Sequence, residues 1–315
     1  MRADTDRAVE DDELSDIAAF RAGARLHAER APRALPHLPL GTYERVRVTP
    51  DAPVPELMVY RPAAGPATPG VFVNLHGGGF VLGDWQGDDP YCRYLADEAG
   101  CVVVNLDYVV APEHTFPAAV HQTAALLAWL ADNAATIGAD GSRIAVGGHS
   151  AGGNLSAAAC LVAARSGAPT VRGLVVDYAP LDLATPPSAK LTGTSGTAEP
   201  GASELASIGA RFNAWYLPTP AAGTDELASP VLARDLSTMP PTLVITAEHD
   251  LLRAEGDRFA ERVRAAGVEV EHLVVPDSGH GFTHVGPEEH AVAAWARMAG
   301  FLRRVLAVER AGEPA

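Results

Sequence analysis

The sequence predicts an α/β protein built on a mostly parallel, doubly wound sheet with helices on both faces. Short β-branched runs alternate with helix-like stretches along most of the chain. From residue 101 onward most of these runs are apolar at consecutive positions, as strands covered on both faces require. A glycine-flanked serine stands where one run gives way to a helix.

Residues 1 to about 40 mix acidic, basic and alanine-rich segments, with Pro32 and Pro36 near the end. They read as one or two helices leading into an extended connection. From Tyr43 the runs TYERVRV, ELMVY and VFVNL, each bounded by Pro or Gly, are the first strands. CVVVNLDY near 101, RIAVGG near 143, VRGLVVDY near 171, TLVITAE near 242 and VEHLVVP near 269 follow as strands. Between them YCRYLADEAG, FPAAVHQTAALLAWLADNA, SAGGNLSAAACLVAARSG and GDRFAERVRAAG read as helices, and EEHAVAAWARMAGFLRRVL closes the chain. Residues 184–230 break the alternation: they are rich in Pro, Gly, Ser, Thr and Ala around the aromatic segment RFNAWYLP. This stretch is expected to be an insertion above the sheet, an interdomain linker being the plainer alternative.

The 315 residues, 47% hydrophobic and 20% charged, suffice to bury a full α/β core and suit one large domain or two small ones, one domain with insertions being the expectation. A formal charge of -15 argues against a nucleic-acid partner, which needs clustered Lys and Arg. Cys92, Cys101 and Cys160 form no C-x-x-C pair, so neither a disulfide framework nor a zinc knuckle is indicated. The opening MRADTDRAVEDDELSDIAAF is too charged for a signal peptide, and no stretch reaches the roughly 18 apolar residues of a membrane span. A cytoplasmic protein is expected, with secretion by another route as the alternative.

The sharpest motif is Gly148-His149-Ser150-Ala151-Gly152, between the strand RIAVGG and the helix beginning SAGGNLSAAA. With 12 serines and 30 glycines, a chance match is expected about 0.1 times, so its strand-to-helix position carries more weight than the pattern. Such a turn strains its central residue and sets Ser150 at a helix N-terminus, where developing negative charge is favoured. A plain N-cap serine is the alternative. The second motif, His76-Gly77-Gly78-Gly79-Phe80, directly follows VFVNL. Three glycines cost backbone entropy, and the gain is bare N–H groups brought close to an anion. In acyl transfer that anion is the tetrahedral oxyanion, with the Ala151 N–H as a further donor. A phosphate loop would need the Lys and Ser or Thr that this turn lacks.

A serine nucleophile needs a base. His280, in the loop after VEHLVVP, lies at the same sheet edge as Ser150, with His284 and His290 as competitors. The base needs an orienting carboxylate. Asp250, just past TLVITA, is the first candidate, with Glu248 and Asp277 as alternatives. The chain order Ser, Asp, His is that of an α/β-hydrolase.

Together HGGGF, DYVVAPEHTFPAA, GHSAGGNL, TAEHDLLR and SGHGF resemble the hormone-sensitive-lipase-like esterases, bacterial family IV, from about residue 40 to the C-terminus. The resemblance implies an α/β-hydrolase fold with an eight-stranded, mostly parallel twisted sheet. It also implies a helical cap, here residues 1–40 and 184–230, over a catalytic core of 41–183 and 231–315. It implies a triad of Ser150, Asp250 and His280, and an oxyanion hole of Gly78, Gly79 and Ala151 N–H groups, with Gly77 shaping the turn. Two departures are visible: His149 stands where the family usually has Asp, and Val109-Val110 replaces Arg-Leu after the Asp-Tyr pair.

The expected activity is serine carboxylic-ester hydrolysis through an acyl-enzyme, on the short- to medium-chain esters that the resemblance implies. No metal or organic cofactor is required. Cleavage of an amide, lactone or acetyl group on a specialised metabolite is the alternative, and a non-catalytic receptor on the same scaffold is a different class of reading. Phe80, Phe212, Trp215, Tyr216 and Phe282 are candidate pocket residues, with ordinary core as the competing assignment. The expected partner is a small-molecule ester, and a second copy in a homodimer is a further candidate.

Overall fold

The computed structural model describes residues 16–24, 42–47, 52–83, 85–167, 171–191 and 201–308. The chain divides into a short unit, Met1–Pro36, and a main unit, His37–Ala315. In the short unit residues 16–24 form a helix, α1. The extended connection expected before residue 40 lies outside the described residues.

The main unit carries one eight-stranded sheet: β1 (Thr42–Arg47), β2 (Glu56–Arg61), β3 (Val71–Leu75), β4 (Val102–Leu106), β5 (Ile144–His149), β6 (Gly173–Asp177), β7 (Thr242–Ala247) and β8 (Val270–Val275). Its spatial order is β1-β2-β4-β3-β5-β6-β7-β8. β1 is antiparallel to β2 and β2 to β4, and every other pairing is parallel. Burial explains the two kinds of run seen in the sequence. β3 to β7 are buried at every position, which is why they read as mostly apolar runs, broken only by residues such as Asn74 and Asn105 that hydrogen-bond inside the fold. β1 is mostly exposed and charged, with Arg45–Glu56 and Glu44–Arg61 pairs across to β2, a composition that discourages pairing of the free edge with another chain.

The helices are α2 (Asp89–Ala99), α3 (Ala118–Asn133), α4 (Ala151–Ser166), α5 (Pro187–Lys190), α6 (Ala202–Tyr216), α7 (Arg253–Ala265), α8 (Phe282–Val285) and α9 (Glu288–Val305). α3 packs against α4, and α2 against α9. The path of the chain accounts for this. α2 carries it from β3 one way across the sheet, while α3 and α4 carry it the other way, so right-handed crossovers place the two pairs on opposite faces. Trp295, Met298, Phe301 and Leu302 of α9 are buried, each such side chain contributing about 1.5–3 kcal/mol.

Between β6 and β7, where no strand pattern was legible, the described residues hold α5, α6 and the 3-10 turns Pro220–Thr224 and Pro230–Leu232. RFNAWYLP is the end of α6 and its exit.

The strand order fixes the position of the site. The chain leaves β3 for β4, then returns past β3 to β5, so β3 and β5 are neighbours from which it departs in opposite directions. A crevice opens at the carboxyl ends of such strands. Their register pairs Leu75 with Gly148, which sets His76–Phe80 beside Ser150.

Candidate active site

Ser150 has φ 50 and ψ -123, a conformation that costs a non-glycine residue about 1–3 kcal/mol. The surroundings hold it there. Its N–H donates to the Asp177 carbonyl at 2.9 Å, and its own carbonyl accepts from the Gly153 N–H at 3.0 Å. A Cβ at Gly148 would lie 2.2 Å from the Leu75 carbonyl oxygen, and one at Gly152 1.9 Å from the same atom. The motif therefore needs glycine at both flanks because β3 passes too close for any side chain.

The turn presents Ser150 Oγ 3.1 Å from His280 Nε2, and His280 Nδ1 donates to Asp250 Oδ2 at 2.8 Å. Both distances are within the reach of general-base chemistry. Asp250 is 1% exposed, and its Oδ1 accepts the Leu252 N–H at 3.0 Å, so the carboxylate is fixed by its own loop. The competing residues are engaged elsewhere. Glu248 is exposed and accepts the Asp277 N–H, and the Asp277 side chain is 89% exposed. His290 Nδ1 meets Ser278 Oγ at 2.7 Å, and His284 Nδ1 meets Tyr178 Oη at 3.0 Å.

The triple-glycine motif folds as a tight turn. Gly78 and Gly79 have φ 113 and 60, and Phe80 follows at 67. The Gly78 carbonyl accepts the N–H groups of Val81 and Leu82 at 3.1 and 2.9 Å. A Cβ at Gly79 would lie 2.0 Å from the Phe212 ring. The Gly77 N–H donates to His149 Nε2 at 2.9 Å, so it serves the turn and not a bound anion. Ala151 is the first residue of α4, where the N–H has no intrahelical acceptor and the helix dipole favours negative charge.

An α/β-hydrolase-fold family matches residues 72–284. The chain belongs to the hormone-sensitive-lipase-like α/β-hydrolases. A carboxylesterase of Mycobacterium tuberculosis, NlhH, is 39% identical over 217 residues, which are 68% of this hydrolase and 66% of that protein's own length. An arylesterase of Saccharolobus solfataricus is 30% identical over 256 residues, 81% of each chain. Among solved structures, an esterase of Pyrobaculum calidifontis superposes with a TM-score of 0.80 at 34% identity, covering 94% of both chains.

In this α/β-hydrolase the cleft over Ser150 and His280 is lined by Gly79, Phe80 and Phe212, and by aliphatic residues that include Leu183, Leu205 and Leu251. Of the five aromatic candidates it takes in Phe80 and Phe212. Tyr216 lies against Phe80, stacked at 4.0 Å, and is buried. Trp215 and Phe282 are also buried outside the lining, Phe282 against Tyr178. Three aromatic candidates are therefore core because α6 and α8 turn those side chains inward. Lys190 and Leu205, which do line the cleft, belong to no motif and were not identified from the sequence.

His149 sits in a polar cluster beneath the turn. Its ring stacks on His284 at 3.8 Å, and its Nε2 is 3.6 Å from Asp88 Oδ1. Burial pushes its pKa down to about 3, so the imidazole is neutral and offers Nε2 as an acceptor to Gly77. Asp88 is buried and loses water, yet His284, whose Nε2 lies 3.2 Å from Oδ1, draws its carboxyl below the usual range. Among the described residues no helix is long and apolar enough to cross a membrane.

Proposed function

We propose that this chain is a carboxylesterase that cleaves short- to medium-chain acyl esters through an acyl-enzyme on Ser150. The observation that carries the reading is the continuous hydrogen-bonded line Ser150–His280–Asp250, at 3.1 and 2.8 Å, beside a left-handed glycine turn. His280 takes the Ser150 proton as Oγ attacks the ester carbonyl, then delivers it to the departing alcohol. Asp250 holds the ring with Nδ1 protonated and Nε2 free to accept, and stabilises the imidazolium that forms. The N–H groups of Gly78, Gly79 and Ala151 receive the oxyanion, each donor being worth about 10²–10³-fold in rate. Water then repeats the sequence on the acyl-enzyme and releases the acid.

Residues 184–230, with 1–40, are the cap in this reading. Leu183, Leu205 and Phe212 give the cleft an apolar wall, which supports a small acyl or alcohol group as its occupant. A cytoplasmic location is part of the same proposal, supported by three cysteines that are buried and unpaired. Hydrolysis of nitrophenyl esters from acetate to palmitate, with a phosphonate label located by mass spectrometry, tests the function. Activity falling with chain length and label on Ser150 is expected. Absence of both turnover and label overturns it.

A further inference from the structure

β6 ends at Asp177, and the two residues at that end bind more than the neighbouring strands. The Asp177 carbonyl accepts the Ser150 N–H at 2.9 Å, and the Tyr178 N–H donates to the Ile245 carbonyl of β7 at 2.8 Å. Tyr178 is 2% exposed and has φ 34, a left-handed backbone in a residue with a bulky side chain. Strain of this kind persists only where the surroundings dictate it, and it gathers at functional sites.

The strained step redirects the side chain. Along an extended strand successive side chains point to opposite faces. Asp177 and Tyr178 instead meet at one atom: Thr283 Oγ1 donates to Asp177 Oδ2 at 3.0 Å and lies 2.6 Å from Tyr178 Oη. His284 Nδ1, at 3.0 Å, is a second partner of that hydroxyl. Thr283 and His284 belong to α8, which follows the loop carrying His280. Tyr178 is therefore tied at its tip to α8 and at its root to β7.

Between those ties its ring meets His280. The two rings stand 5.1 Å apart at 71°, and Phe282 packs on the Tyr178 ring at 5.6 Å and 62°. Edge-to-face geometry is one that aromatic rings prefer. Asp250 at Nδ1 and Ser150 at Nε2 fix the imidazole while the proton is on Ser150. Once Nε2 has taken that proton, its partner changes from Oγ to the departing alcohol, and the ring has to stay in place during the exchange. A wall beside the ring supplies that restraint.

We propose that Tyr178 is a positioning residue for the reaction: its ring holds the His280 imidazole between Ser150 and the leaving group, and the left-handed backbone at 178 aims it there. The inference rests on the esterase reading. Tyr178 transfers no proton itself. With Asp177 it makes the end of β6 the common support of nucleophile and base, one residue pinning the Ser150 backbone and the next the His280 ring.

The test is kcat and KM on nitrophenyl butyrate, with thermal melts, in Tyr178→Leu and Tyr178→Phe. Tyr178→Leu is expected to lower kcat about 10²-fold, the loss that a misplacement of about 1 Å brings, with KM within about threefold of wild type. Tyr178→Phe keeps the ring and is expected to restore kcat to within about fivefold of wild type. Where Tyr178→Leu fails to fold, Tyr178→Met, whose unbranched side chain adapts to the vacated space, takes its place. The low-field proton resonance of His280 Nδ1–H, identified by its loss in His280→Gln, is read without substrate. It is expected to persist in Tyr178→Phe and to broaden or vanish in the variants that lack the ring. A variant without the ring that melts cooperatively and keeps kcat within about threefold overturns the positioning role, as does a rise in KM alone or a loss in Tyr178→Phe equal to that in Tyr178→Leu. Wild type without ester turnover is a failure of the esterase reading. The resonance then decides the contact by itself, and an unchanged signal in the variants without the ring overturns it.

Discussion

Gly79→Ala tests the oxyanion turn at the position where geometry leaves least room. The added Cβ would stand 2.0, 2.3 and 2.4 Å from Cδ2, Cγ and Cε2 of Phe212. Carbon atoms rest at about 3.5–4.0 Å, so either the ring or the turn must shift by about 1.5 Å. The left-handed backbone at φ 60 adds about 1–2 kcal/mol for any residue with a Cβ. If the turn gives way, the Gly79 N–H leaves the oxyanion, and kcat falls about 10²–10³-fold, equivalent to about 2.7–4 kcal/mol. The assay is kcat and KM on nitrophenyl butyrate beside a thermal melt, in Gly79→Ala, Phe212→Ala and the double variant. Removing the ring leaves only the backbone strain, so the double variant is expected to recover most of the lost kcat, a coupling that separate sites would not show. A Gly79→Ala enzyme that melts normally and keeps kcat within about threefold refutes the assignment of its N–H to the oxyanion. No recovery in the double variant refutes the role of Phe212 in the displacement.

Ser150→Ala is expected to abolish turnover and phosphonate labelling while the melt stays cooperative, and residual esterase activity in a clean preparation would remove the nucleophile assignment. Asp250→Asn is expected to lower kcat about 10⁴-fold, because the amide no longer holds the imidazole in the required tautomer. A larger loss from Glu248→Gln would move that role to Glu248. Burial raises the pKa of Glu255 to about 7, against the opposing pull of Lys190 at 2.6 Å. The unfolded chain releases that proton near 4.5 and the folded one near 7, so this carboxyl favours the fold below about pH 4.5 and its contribution is lost as pH rises to about 7. Urea melts across that window should show the decline in wild type and a flatter profile in Glu255→Gln; equal slopes in the two proteins would refute the assignment.

What the sequence disclosed follows from how local its causes are. The buried strands were legible because burial on both faces leaves mostly apolar residues to choose from, and the serine turn because Leu75 forbids a side chain on either flank. The orienting carboxylate was ambiguous for a reason that spacing cannot resolve. Glu248 and Asp250 lie two residues apart on one loop. The Asp250 N–H turns back to the Ala247 carbonyl at 3.3 Å, which aims its carboxylate inward, while Glu248 reaches out to the Asp277 N–H. The cleft was half legible. Phe212, Trp215 and Tyr216 form one aromatic cluster in sequence, yet only the first lines the cleft, because α6 buries the others as it descends toward Phe80. Asp88 was invisible as a partner of His149, since the 3-10 turn before α2 and the end of β5 meet only through the sheet order.

That sheet order also explains what a histidine does in front of the nucleophile. Leu75 pairs with Gly148, so the next residue, His149 at the end of β5, stands beside the start of the glycine turn, and its side chain reaches the Gly77 N–H. The position therefore needs an acceptor for the Gly77 N–H, and it lies between the two chain segments that carry the proposed oxyanion donors. A carboxylate, the usual occupant in the family, meets that need with a negative charge. Here Asp88 already supplies a buried carboxylate 3.6 Å away, and a second one so close would repel it across a medium that screens poorly. A neutral imidazole accepts the same hydrogen bond without that repulsion. Asp88 and His149 are thus best understood as a pair: the carboxylate stands on the 3-10 turn, and the imidazole beside it accepts the Gly77 N–H of the glycine turn.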